Sequence, residues 1–168
     1  MDGNRKKQAF LMQYGYAMKR MVAAEYEYME YAYSLLSKGI TYDAMPRGSG
    51  PTGDLAELMV KKLELEKKRL GEIENIGKVR TLIREKIETL PTEAEKLVLT
   101  LRYMNLVPVR GKDGTHTVGY RWKPWDEVAK ECSYSIRHAT KLHGVALLHL
   151  HITQEEYEAA GIRREKMG

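Results

Sequence analysis

Apolar residues step alternately by four and three through the start of the chain, at Phe10, Tyr14, Ala17, Met21, Ala24, Tyr28, Tyr31 and Leu35. A seven-residue repeat of this kind puts a single stripe on one long helix, expected over 4–37. A second long helix is expected from Asp54 to about Leu90. Its stripe is Met59, Leu63, Leu70, Ile73, Ile76, Ile83, Ile87 and Leu90, with one slip in phase near Ile76. The segment KKLELEKKRLGEIE between these positions pairs opposite charges one turn apart and reads as a solvated face. Two such helices satisfy each other as an antiparallel hairpin, or pair as a coiled coil with those of a second copy.

Six of the eleven tyrosines lie in the first helix, at 14, 16, 26, 28, 31 and 33. Heptad spacing and the neighbouring Glu25, Glu27 and Glu30 favour packing over a platform that stacks nucleic-acid bases. Gly39 ends this helix, and Tyr42 to Asp54 has the Pro and Gly density of a connecting loop. The loop lacks the Gly-Lys-Ser/Thr of a phosphate-binding loop and has no strand before it. Arg47 is its one residue suited to a phosphate.

Of the 168 residues, 43% are hydrophobic and 30% charged, a balance that suits long solvated helices. The formal charge of +5 is compatible with an anionic partner. Cys132 is the only cysteine, so no internal disulfide exists, and a reducing, cytoplasmic setting is expected. No apolar run reaches the length of a membrane span. The AFLMQYGYAM segment is interrupted by Gln and Tyr and does not read as a signal peptide.

Leu90-Pro91 breaks the second helix, because proline disfavours helical geometry in the residue before it. Thr92-Glu93-Ala94-Glu95 reads as a capping box that opens a third helix from Thr92 to Asn105. Leu97, Leu101 and Met104 are its expected packing residues. In LVPVRGKDGTHTVGYRWKP, β-prone runs flank Lys-Asp-Gly, which predicts a small β-hairpin. Its Arg110, Lys112, His116, Arg121 and Lys123 are placed to graze a phosphate backbone.

Trp125 to Leu150, WDEVAKECSYSIRHATKLHGVALLHL, reads as two short helices joined by a tight turn. Trp125, Val128, Ala129 and Cys132 share a face of the first helix. Ser135 caps the second, whose apolar side is Ala139, Leu142, Ala146, Leu147 and Leu150. The other side carries Arg137, His138, Thr140 and Lys141, with no acidic residue between Ser135 and His151. A packed back and a basic, hydrogen-bonding front are what a helix lying in a DNA major groove requires.

No catalytic constellation is found, and the chain reads as a non-enzyme without cofactor or metal. His138 and His143 are five apart and do not share a helical face. His149 and His151 sit near a helix end, where positive charge meets the dipole favourably. Asp126 and Glu127 are adjacent and point apart. All these histidines are expected to be solvated or turned to DNA.

The stretch from Trp125 to Leu150 resembles, without a gap, the C-terminal helix-turn-helix of bacterial primary sigma factors (sigma region 4). The Trp-Asp-Glu-Val-Ala opening, the Ser at the turn and the closing Ala146, Leu147 and Leu150 carry the match. With its long upstream helices, the MPRGSG segment, the Leu90-Pro91 break and the Ser-x-Arg…His-Gly-x-Ala-Leu ending, the chain resembles phage late-gene regulators of the ArpU/RinA type. Ile136-Arg137 stands where sigma factors carry an Arg-Glu pair, which implies a target other than their usual upstream promoter element.

The resemblance implies a mainly α fold: a helical arm over 1–90, a sigma-like helix-turn-helix domain with a hairpin insertion over 91–151, and a short tail over 152–168. It implies a phage- or prophage-encoded, sequence-specific transcription regulator bound to double-stranded DNA in the host cytoplasm. Host RNA polymerase and a second copy of the chain are further partners it admits. By position in the motif, Arg137, His138, Thr140 and Lys141 read bases, while Ser135, Lys130, Arg121, Lys123, Arg110 and Lys112 hold the DNA backbone. The alternative is an assembly protein resembling the small subunit of a phage DNA-packaging terminase, which oligomerises through its long helices.

Overall fold

In the computed structural model, residues 2–38 and 52–162 are described. They form α1 (Asp2–Ser37), α2 (Thr52–Glu88), α3 (Glu93–Leu99), a π-helical segment (Thr100–Met104), β1 (Val107–Arg110), β2 (Thr117–Arg121), α4 (Trp125–Cys132), α5 (Ile136–His149) and α6 (Gln154–Ala159). The chain is therefore mainly helical with one small antiparallel sheet. Helix α2 starts at Thr52, two residues ahead of the expected Asp54. The stop at Gly39, most of the Tyr42–Asp54 loop with Arg47, and the charged end after Ile162 lie outside the described residues. Among those described, no helix is long and apolar enough to cross a membrane.

Two compact units divide the chain elsewhere than at 90/91. The first comprises Met1–Lys19 and Ile76–Gly168. Its core joins Phe10 and Leu11 of α1, Val79, Ile83 and Ile87 of α2, Leu90, Leu99 and Tyr103, and Ala146, Leu147 and Leu150 at the end of α5. An arm ending at residue 90 is thus corrected: the base of both long helices supplies about half of the large apolar groups that bury the end of α5. Lys7 reinforces the contact by donating from Nζ to the Leu147 carbonyl at 2.8 Å, one of the orphan acceptors at a helix C-terminus. Phe10 meets the Tyr157 ring edge-on at 5.9 Å, and Lys86 pairs with Glu156 at 2.6 Å.

Thr92 caps α3, its hydroxyl accepting from the Glu95 N–H at 3.2 Å, but the reciprocal half of the box does not form. The Glu95 carboxylate is buried: its Oε1 accepts from the Thr92 hydroxyl at 3.0 Å, and its Oε2 lies 2.9 Å from His149 Nδ1. A complete capping box forms instead at Thr153 and Glu156, at the start of α6. Leu97 is exposed, whereas Val98, Leu99, Leu101 and Tyr103 are buried. The helix ends in a π-turn, with Asn105 N–H reaching the Thr100 carbonyl at 3.0 Å.

Strands β1 and β2 pair antiparallel in the register Val107–Arg121, Pro108–Tyr120 and Val109–Gly119, with a bulge at Arg110. Gly114, at φ 68°, permits the turn. Trp122 follows β2 and lies flat enough on α1 that a Cβ on Gly15 would sit 2.6 Å from its ring. Tyr16 meets the same ring edge-on at 5.2 Å, and the Lys19 ammonium lies 4.5 Å from its centre.

The second unit is Arg20–Asn75, where the two long helices run antiparallel. Arg20 pairs with Glu72 at 3.4 Å and Glu27 with Lys68 at 2.7 Å, and the Tyr31 hydroxyl donates to the Leu58 carbonyl at 3.0 Å. On α1, Ala24 and Leu35 are buried and Met21, Tyr28 and Tyr31 are half-buried, as the heptads require. On α2 the expected stripe is corrected, because Leu63, Leu70 and Ile73 are exposed. An unbroken helix keeps its phase, so stepping back from Ile83 the covered positions are Val79, Ile76, Glu72, Arg69, Leu65, Lys62 and Leu58. Of the charged residues at these positions, Arg69 stacks over Tyr28 at 4.6 Å and Glu72 pairs with Arg20. Beside them, the exposed Lys61 lies over the Tyr31 ring at 4.9 Å.

Candidate nucleic-acid interface

Helices α4 and α5 are joined by Ser133 to Ser135. Ser133 takes the left-handed conformation at φ 58°, alone among the described non-glycine residues. The N–H of Tyr134 then returns to the Ala129 carbonyl at 2.9 Å and closes α4. Ser135 opens α5, its hydroxyl oxygen accepting from the His138 N–H at 3.1 Å. Such a cap is worth about 1 kcal/mol. Val128 and Ala129 of α4 are buried, as are Ala139, Ala146 and Leu147 of α5. Cys132 is half-buried, and burial pushes its thiol pKa up, away from nucleophilic character.

Arg137, His138, Thr140 and Lys141 are all exposed, in the first two turns of α5. Among the described residues, no carboxylate pairs with Arg137 or Lys141, nor with Lys130, Arg110 or Lys112. Ser135, Arg137, His138, Thr140 and Lys141 are thus brought together on one short stretch, while Arg110 and Lys112 lie on the exposed hairpin. The Thr140 hydroxyl donates back to the Ile136 and Arg137 carbonyls at 2.9 and 3.0 Å. It retains only acceptor capacity toward a ligand. The His138 ring stands edge-on to Tyr134 at 4.7 Å. Tyr134, which the sequence pattern offered only as an interruption, thereby orients this imidazole.

One expected backbone contact is corrected. Lys123 is 9% exposed and its ammonium is 2.5 Å from Glu131 Oε1. Its carbonyl also accepts from the Arg102 guanidinium, so it ties the hairpin's exit to α4 and does not face a phosphate. Arg121 is half-exposed but shares its charge with Glu127 at 3.3 Å. His116 pairs with Asp113 at 2.8 Å in the hairpin turn. The backbone N–H of Thr115 holds the Asp113 carboxyl below its ordinary pKa.

His143 is neither solvated nor part of the exposed front. Its Nε2 is 2.8 Å from the Tyr103 hydroxyl, and its ring meets Trp125 edge-on at 5.0 Å. Burial, and then the Arg102 charge, lower its pKa to about 4. Burial raises the Tyr103 phenol to about 12. His149 is half-exposed and engages Glu95. Among the described residues, no group of three or more His, Cys, Asp or Glu could hold a metal ion. Comparison with family models, with curated proteins and with solved structures finds no match.

Proposed function

We propose that the chain is a sequence-specific double-stranded-DNA-binding transcription regulator, phage or prophage encoded, whose α4 and α5 act as a helix-turn-helix. One observation carries this reading. Arg137 and Lys141 project from the first two turns of a capped helix with a packed back, and no described carboxylate neutralises them. Guanidinium and ammonium groups so placed can donate to guanine O6 and N7 in a major groove. His138 and the acceptor oxygen of Thr140 add weaker contacts. Ser135, with the first-turn N–H groups of α5, suits a phosphate, as do Lys130, Arg110 and Lys112.

The sigma resemblance supports a contact with host RNA polymerase in the host cytoplasm. Selection of bound duplexes from a random-sequence pool, repeated at two salt concentrations, tests the reading. A defined consensus with a steep salt slope supports it. Recovery of no preferred sequence contradicts it.

A second copy of the chain is a further proposed partner. Tyr26, Met29, Tyr33 and Leu36 of α1, and Val60, Leu63, Leu70 and Ile73 of α2, are exposed within the Arg20–Asn75 unit. Apolar surface concentrated in this way also supports the alternative of a terminase-like assembly protein. Light scattering separates the two: a monomer or dimer favours the regulator, a ring of many subunits the assembly protein.

A further inference from the structure

Gly144 lies seven residues after Arg137 and three after Lys141, which places it on the same face of α5, one turn beyond the reading cations. A glycine inside a helix weakens it relative to alanine. Internal packing does not require one here, because a Cβ built at Gly144 meets nothing within 4 Å. The backbone there is part-covered by its neighbours, yet a side chain would project into open space on the side that Arg137 and Lys141 define. We infer that the DNA groove comes into van der Waals contact with the α5 backbone at Gly144, which sets how deeply the helix seats and so how far Arg137 and Lys141 reach. The inference rests on the proposed DNA-binding role and identifies a positioning residue within that interface.

Any side chain at 144 would act as a spacer. A methyl group holds the helix off the duplex by a fraction of its own width. Hydrogen bonds from Arg137 and Lys141 to base edges tolerate little such displacement. Loss of binding should then accompany a gain in folding stability, a combination that a residue serving the fold does not produce. Gly77 supplies the control, since it also lies inside a helix, α2, and a Cβ there likewise meets nothing within 4 Å.

The test measures thermal unfolding and affinity for full-length wild type, Gly144→Ala, Gly144→Leu and Gly77→Ala. The probes are a duplex selected by the wild-type chain and a random duplex of equal length. Both alanine variants should unfold about 2–4 °C higher than wild type. Gly144→Ala should lose about tenfold in affinity for the selected duplex, and Gly144→Leu more, with Gly77→Ala unchanged. Unchanged or improved binding by Gly144→Ala would overturn the inference while leaving DNA binding intact. A wild-type chain that prefers no duplex overturns both the inference and the functional reading beneath it.

Discussion

The Tyr103 hydroxyl lies 2.8 Å from Nε2 of His143, and this contact joins the π-turn that ends the third helix to the middle of α5. Trp125 covers the imidazole from α4. Helix α5 is therefore held by a polar contact between two side chains that burial keeps in their neutral forms.

Folding stability should fall as pH drops from about 6.5 to about 4. His143 titrates at an ordinary 6.5 when unfolded and at about 4 when folded. In that window the unfolded chain binds a proton that the folded chain does not, so acid favours unfolding. The contribution is fully present above the window, and at its acid end a loss on the order of 2–3 kcal/mol is expected. Thermal unfolding across this range, compared with His143→Gln, measures it. Parallel curves for the two proteins would contradict it.

Lys123→Ala should lower stability by about 1–3 kcal/mol, through lost packing of its buried stem and lost pairing with Glu131. It should leave the salt slope of DNA binding unchanged. Lys130→Ala should do the reverse, keeping stability and reducing the slope by about one unit. Denaturant titration and binding at several salt concentrations distinguish the two. A salt slope reduced by Lys123→Ala would return that residue to the interface.

A fragment beginning at residue 91 should fail to fold. It lacks Phe10, Leu11, Val79, Ile83 and Ile87, which share one core with Leu99, Tyr103, Leu147 and Leu150. Loss of large core side chains costs about 2–5 kcal/mol each, against a total of about 5–15 kcal/mol for an ordinary domain. Circular dichroism of the fragment checks this. A cooperative unfolding transition would contradict it.

The heptads of α1 were legible because every position from Phe10 to Leu35 along that stripe is at least half covered. Those of α2 were not, since hydropathy reports residue type and ignores the partner. Lys62, Arg69 and Glu72 occupy covered positions facing a tyrosine-rich helix, while Leu63 and Leu70 face outward. Exposure of Arg137, His138, Thr140 and Lys141 followed from helical period alone. The roles of Lys123 and His143 did not, because Glu131 and Tyr103 reach them only through the tertiary fold. Nothing local marked Gly15 as the seat of Trp122. Glu95 read as a local cap and keeps its bond to the Thr92 hydroxyl, but its other oxygen reaches His149, fifty-four residues away.

The most direct test of α5 as the reading helix is the affinity of Arg137→Ala for the selected duplex relative to a random one. Arg137 is exposed in the first turn of α5 with no described carboxylate beside it. Binding to the selected duplex should weaken by about 1–3 kcal/mol, with the base preference at one position relaxed and binding to the random duplex nearly unchanged. Equal losses on both duplexes, or no loss on either, would contradict a base-reading role for this helix.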